Sequence, residues 1–233
     1  MALPASVGVL ERELRGVFGS RLQSLVAYGL RTHHGAHAPV RTLALVESLS
    51  EQDLRACAGK VNAWHGAGLA TPLLLASADF ARSLDAFPLE FGAIIADHEV
   101  VAGTQPFAQA KVDPTDVRRA CEVQARSHLL HLREAYLETH GRADALSDLI
   151  VQSAPAFAAL LRSVARLEGQ PSEDGAAARH AERTLGVPGG AVTDIVALTG
   201  GHELPSADAE RLFAPYLDAV EKLVSYVDGW ANR

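Results

Sequence analysis

The sequence predicts two consecutive units, a small α/β unit over residues 1–107 and an all-α helical bundle over residues 108–233. In the first unit, short β-rich apolar runs alternate with helical patterns, which is typical of a small mixed sheet with flanking helices. After Pro106 the apolar residues recur at helical spacing almost without exception, as in a bundle. At 233 residues and 48% hydrophobic composition, the chain is large enough for two cores.

The first unit is predicted to follow the order α-β-β-α-β-α-α-β. An amphipathic helix over residues 4–18 comes first, since Val7, Leu10, Leu14 and Val17 recur at helical spacing. Short apolar runs bounded by glycine or proline then predict four strands. These strands are expected at residues 22–28, 40–46, 71–75 and 99–102, with a loop over residues 30–39.

Helix-start signals place the remaining helices of this unit. Ser50 and Asp53 have the spacing of a capping box, which predicts a helix reaching residue 67. Its buried stripe is expected to contain Leu54, Val61 and Trp64. Ser77 is expected to cap the next helix, which contains Phe80 and Leu84, and a further helix is expected over residues 88–97.

The second unit is predicted to contain five helices separated by glycine- or proline-containing breaks. Pro114 follows Asp113 and favours a helix start, because proline is well suited to the first helical position. The domain boundary is therefore expected between Gly103 and Asp113. The helices are expected at residues 114–139, 142–168, 173–186, 190–199 and 206–230.

Composition excludes several classes of function. The formal net charge is −7 and the sequence pI is near 5.8, which does not favour a nucleic-acid-binding module. No stretch approaches the roughly eighteen apolar residues of a membrane span, and the N-terminal segment has no secretory signal pattern. Cys57 and Cys121 are far apart and indicate reduced, partly buried thiols. We therefore expect a cytoplasmic protein with neither membrane nor nucleic acid as partner.

Three segments of the first unit carry a resemblance to a known family. Tyr28-Gly29-Leu30-Arg31 resembles the Tyr-Gly-Ser-Arg turn of polymerase-beta-like nucleotidyltransferases, which holds a triphosphate. Residues 40–46 stand where family members carry two metal-binding aspartates on one strand. Residues 99–107 resemble the segment that closes the domain in many bacterial members. The helical bundle that follows is similar to that of bacterial antibiotic-modifying nucleotidyltransferases.

The sequence departs from this family at the residues that catalysis requires. Leu30 replaces the turn serine, and the two aspartate positions fall on Arg41 and Leu43. Residues 73–75, where the third carboxylate is expected, are all leucine. Two-metal nucleotidyl transfer depends on carboxylate oxygens that bind Mg²⁺, and an arginine repels a cation. The resemblance therefore implies a degenerate member with no catalytic residues and no Mg²⁺ cofactor.

The same turn is the predicted ligand-binding site. Its candidate residues are Gly29, Leu30, Arg31 and Arg41, because backbone N–H groups and guanidinium groups bind anions. The expected partner is a nucleotide or another phosphate-bearing small molecule, unless the pocket is vestigial. The helices at residues 114–139 and 206–230 are expected to provide a surface for a homodimer or a protein partner.

Two alternatives concern metals and acids near the turn. His33, His34 and His37 lie on one loop and form a weak candidate metal site. The alternative interpretation is that the loop is solvated and binds no metal. Asp97 and Glu99 are the carboxylates of a possible active transferase with a relocated metal site. With His98 they form three adjacent titratable residues, which in a strand point in different directions.

Two further alternatives lie in the bundle. Gly189-Gly190 precedes an apolar helix and could bind phosphate, although such a pair is more often a helix–helix turn. Arg126-x4-His131 and Arg133-x6-His140 resemble the ribonuclease motif of HEPN domains. That resemblance implies a ribonuclease or a toxin–antitoxin component with a symmetric helix seam. Otherwise His128 and His131 are expected at the edge of a long helix.

Overall fold

The computed structural model describes residues 3–31, 38–201 and 203–232. The chain forms two compact units, residues 1–113 and 114–233, and each has a core of its own.

The first unit is a four-stranded mixed sheet with helices on both faces, which confirms the predicted fold class. The strands lie in the order β3-β2-β1-β4, where β2 and β3 are parallel and the other two pairs are antiparallel. In chain order the elements are α1 (Ala5–Phe18), β1 (Leu22–Tyr28), β2 (Arg41–Val46), α2 (Glu51–Ala58), α3 (Val61–Gly66), β3 (Leu73–Ala76), α4 (Ser77–Ala86), α5 (Pro88–Ala96) and β4 (His98–Gly103).

Each face of the sheet has its own hydrophobic cluster. On one face, α1, α2 and α3 pack against alternate residues of β1 and β2, with Leu10, Leu14 and Trp64 fully or almost fully buried. On the other face, Val26 and Leu43 pack with side chains from α5 and from the segment after β4. Because strand residues alternate between faces, Arg41 shares the second face with Leu43.

The predicted capping box at the start of α2 is present. The Ser50 hydroxyl accepts a hydrogen bond from Asp53 N–H, and the Asp53 carboxylate accepts one from Ser50 N–H. The Arg21 guanidinium also donates two hydrogen bonds to this carboxylate, at 2.9 and 2.8 Å. These hydrogen bonds hold the pKa of Asp53 far below its usual value. Asp53 thereby also ties α2 to the short 3-10 turn Gly19–Arg21 that follows α1.

Two expectations for this unit are wrong in detail. The helix predicted to reach residue 67 is divided at Gly59 and Lys60 into α2 and α3. The buried side of α2 is formed by Asp53 and Cys57, so Leu54 is exposed, whereas Trp64 is buried as predicted. Ser77 is the first residue of α4 rather than its cap, and its hydroxyl donates hydrogen bonds to the Gln23 side chain and to the Val46 carbonyl.

The second unit is a bundle whose five α-helices agree with the predicted spans to within two residues. They are α6 (Pro114–Glu138), α7 (Ala143–Leu167), α8 (Asp174–Leu185), α9 (Ala191–Ala197) and α10 (Ser206–Asp228). By length and composition alone α7 could cross a membrane, contrary to expectation. Eleven residues of α7, including Ile150, Phe157 and Leu161, are buried against the other helices of the bundle.

A chain of hydrogen bonds crosses the core of this bundle. The Tyr216 hydroxyl donates to Ser153 Oγ at 3.0 Å, and Ser153 donates to the Ile150 carbonyl. His128 Nε2 lies 2.8 Å from the Tyr216 oxygen and must be the donor there, since the tyrosine proton points to serine. The expectation that His128 lies at a helix edge is wrong, because it is buried and stacks on Phe157.

Candidate functional site

The predicted turn follows β1 directly. Gly29 has φ 69°, in the left-handed region that glycine adopts without strain, so the chain can reverse direction immediately after Tyr28. Gly29 N–H donates to the Asp97 carbonyl at 2.9 Å. The junction between α5 and β4 therefore fixes the start of the turn, and this contact is not visible in the sequence pattern.

Arg31 is bound to the same junction through its backbone and its side chain. Its N–H donates to Asp97 Oδ2 at 2.9 Å, and its Nε donates to Oδ1 at 3.1 Å. Its Nη2 also donates to the Ala96 carbonyl. An anion that approaches the Arg31 guanidinium must therefore compete with the Asp97 carboxylate.

Arg41 begins β2 and lies directly opposite Tyr28 in the antiparallel register. The pairing places an exposed guanidinium beside the last residue before the turn. Burial raises the pKa of Tyr28, and the positive charge of Arg41 acts in the opposite direction. Gly29, Leu30, Arg31 and Arg41 thus lie at one end of the β1–β2 pair.

The position that the sequence resemblance aligned with the second metal-binding aspartate, Leu43, is part of the hydrophobic core. Leu43 is 0% exposed and packs in the cluster that contains Phe91 and Ile94. The leucines of β3 lie beside β2 in parallel register and are half-buried. The positions of β2 and β3 that the sequence resemblance aligned with metal-binding carboxylates are therefore occupied by Arg41 and by leucines. A carboxylate does lie nearby, because, in addition to burial, the negative charge of Glu90 in α5 contributes to the raised pKa of Tyr28.

The three titratable residues Asp97, His98 and Glu99 do not share a site. Asp97 binds Arg31, whereas His98 contacts the Ile95 carbonyl and the Gln105 side chain. Glu99 lies opposite Ala27, and so on the face of the sheet away from Tyr28 and Arg41. Only Asp97 therefore brings a carboxylate to the turn among these three.

The histidine-loop candidates His33, His34 and His37 lie outside the described residues. Within residues 3–31, 38–201 and 203–232, no three side chains of His, Cys, Asp or Glu form a group that could hold a metal ion.

The Gly189-Gly190 turn already holds an anionic group from the protein itself. Glu182 Oε1 accepts hydrogen bonds from the N–H groups of Gly190, Val192 and Thr193, at 3.0, 3.1 and 2.9 Å. Glu182 belongs to α8, so its carboxylate caps the first turn of α9 across the connection. The pair is a helix–helix turn with an internal cap, which sequence spacing did not reveal.

The arginines of the ribonuclease-like motifs are engaged within the bundle. Arg126 Nη2 donates to Asp228 at 2.6 Å, and Arg133 Nη2 donates to Glu221 at 2.7 Å. His131 and His140 are exposed. The HEPN-like function stays a prediction that requires a second chain at this surface.

Comparison with known proteins identifies a solved structure with a similar fold. No protein-family model and no curated protein matches the chain. Among solved structures it matches spectinomycin adenyltransferase AAD(9) from Enterococcus faecialis, determined with ATP and spectinomycin. The TM-score is 0.57 at 11% sequence identity, and the match covers 94% of this chain and 98% of the other. The chain thus has the fold of a nucleotidyltransferase, as the sequence resemblance implied, and the similarity extends through the helical bundle.

Proposed function

We propose that this protein is a catalytically degenerate nucleotidyltransferase-like protein that binds a nucleotide, or another phosphate-bearing anion, without transferring it. The binding site is the end of the β1–β2 pair, where the backbone of Gly29 and the guanidinium groups of Arg31 and Arg41 lie. The structurally similar AAD(9) was determined with ATP, which makes ATP the first ligand to test.

The observation that carries this proposal is the pair Arg41 and Leu43. Both residues lie on one face of β2, in the alternation that two metal-binding aspartates require. Leu43 has no exposed surface, and its side chain offers no ligand atom to a hard cation. Arg41 adds a positive charge that attracts phosphate and repels Mg²⁺.

The alternative is an active transferase with a relocated metal site, and Asp97 is the observation that favours it. Its carboxylate lies at the turn, bound to Arg31. Two-metal catalysis needs further carboxylates at the same point, and Glu99 faces the other side of the sheet. The alternative therefore predicts that both Mg²⁺ and Asp97 are essential for any nucleotide effect.

The test is the thermal stability of the full chain with ATP, with and without Mg²⁺. We expect ATP to raise the melting temperature of the wild type without Mg²⁺, because binding to the folded state alone stabilises it. Arg41→Ala should abolish this shift. Arg55→Ala is the matched control, since Arg55 is an exposed α2 arginine whose ion pair is with Glu51 of the same helix, and it should leave the shift intact.

Each contrary result has a definite meaning. A shift that requires Mg²⁺ and disappears in Asp97→Asn would establish the relocated metal site instead. No shift with ATP or with inorganic phosphate would contradict the binding role and indicate that the turn is vestigial.

A further inference from the structure

A row of apolar side chains lies on the outer face of α6. Val123, Leu130 and Leu137 are 64%, 62% and 73% exposed. They are seven residues apart, so they form one stripe along the helix about 21 Å long. The opposite face of α6 supplies the bundle core, through Cys121, Ala125, His128, Leu129 and Leu132. Packing inside the bundle therefore does not account for this outer row, and exposed apolar rows of this kind indicate an interaction surface.

The helix that carries the row is firmly held. Besides its buried face, α6 is joined to α10 along one flank by the ion pairs Arg126–Asp228 and Arg133–Glu221. The row is thus presented on a rigid element, which lowers the entropic cost of association.

The charges beside the row favour a second copy of the same helix in parallel orientation. Arg133 and Glu134 flank Leu130 on opposite sides, because they follow it by three and four residues. In a parallel pair with a two-fold axis along the seam, Arg133 of each copy lies beside Glu134 of the other. In an antiparallel pair, Arg126 would instead lie beside Arg133, and like charges repel.

We propose that α6 pairs with α6 of a second chain to form a parallel, two-fold symmetric dimer. Val123, Leu130 and Leu137 each meet their own counterpart in this interface, because a two-fold axis parallel to the helices brings equivalent residues together at the same height. The dimer does not depend on the nucleotide-binding role proposed for the Gly29 turn, and it can be tested without any ligand.

The first experiment measures the mass of the full chain in solution by sedimentation velocity over a concentration series. The wild type should form a dimer, and Leu130→Glu should be monomeric at the same concentrations because it buries two opposed carboxylates. Phe87→Glu is the matched control, since Phe87 is an exposed apolar residue of the first unit, and it should dimerise normally. A monomeric wild type, or a dimer that survives Leu130→Glu with an unchanged melting temperature, would overturn the proposal.

The second experiment tests the orientation by disulfide crosslinking. Both natural thiols are buried, and burial raises the pKa of Cys121 to about 12, so the native background is low. Val123→Cys, Leu130→Cys and Leu137→Cys should each give a covalent dimer under mild oxidation. Gln124→Cys, exposed but off the stripe, should not. Crosslinking at residue 130 alone would indicate an antiparallel pair and overturn the proposed arrangement.

Discussion

At the scale of single residues, the bundle buries an ionisable side chain, His128, and gives it a hydrogen-bond partner in Tyr216. Burial of His128 disfavours the protonated form of its imidazole. Its imidazole is buried between Phe157 and Tyr216, and burial lowers its pKa to about 4 from the ordinary 6.5. The folded bundle therefore holds the neutral ring, which donates to the tyrosine oxygen.

A pH dependence of stability follows from His128. Between pH 6.5 and 4 the unfolded chain binds a proton that the folded chain does not, so stability is full above pH 6.5 and falls as the pH decreases toward 4. The lowered pKa corresponds to at most about 3 kcal/mol. Urea unfolding across this range should show a smaller loss for His128→Gln than for the wild type. His140→Gln is the control, because His140 is exposed, and an equal loss in all three proteins would contradict the assignment.

At the scale of elements, α9 depends on a carboxylate that belongs to another helix. Glu182→Ala leaves three N–H donors at the start of α9 without their acceptor, which should destabilise the protein by about 1–3 kcal/mol. Glu182→Gln retains an oxygen acceptor and should lose less. Chemical denaturation of both variants measures the difference. If alanine costs no more than glutamine, the cap contributes little to stability.

The local patterns that repeat along the chain predicted these elements well. Glycine breaks and helical periodicity located all five bundle helices, and the Ser50–Asp53 spacing located a real capping box. The prediction failed at Leu54, because the buried side of α2 contains Asp53, whose carboxylate is paired with Ser50 and Arg21. Apolar periodicity does not identify a charged residue that the fold buries and pairs.

Contacts between distant residues could not be predicted in this way. The Asp97 contact with Arg31 joins residues 66 positions apart, and the contact between His128 and Tyr216 joins residues 88 positions apart. Nothing in the local spacing distinguishes Glu182 from the other acidic residues as the cap of α9. The candidate positions Gly29, Arg31 and Arg41 could be named from the resemblance, whereas the carboxylate beside them required the fold.

At the scale of the whole molecule, the two units have separate cores, and each contains one of the two tryptophans. Trp64 is buried in the first unit and Trp230 in the second. Trp230→Phe therefore leaves fluorescence that reports only the first unit, and Trp64→Phe leaves only the second. We expect two different denaturation midpoints, since units with separate cores need not unfold together. Coincident midpoints, equal to that measured by circular dichroism, would show a single cooperative transition.

Because Asp97 already binds Arg31, an anion that binds at the turn must displace the Asp97 carboxylate from the guanidinium. The Asp97 carboxylate is part of the protein, so it competes with a dissolved anion for the Arg31 guanidinium at every ligand concentration. Chloride and other singly charged ions offer no advantage over this resident group. A polyphosphate that contacts Arg31 and Arg41 together, as the proposed function requires, does offer an advantage. If the turn binds a nucleotide as proposed, the Asp97 carboxylate therefore makes it select multiply charged anions over the common small anions of the solution.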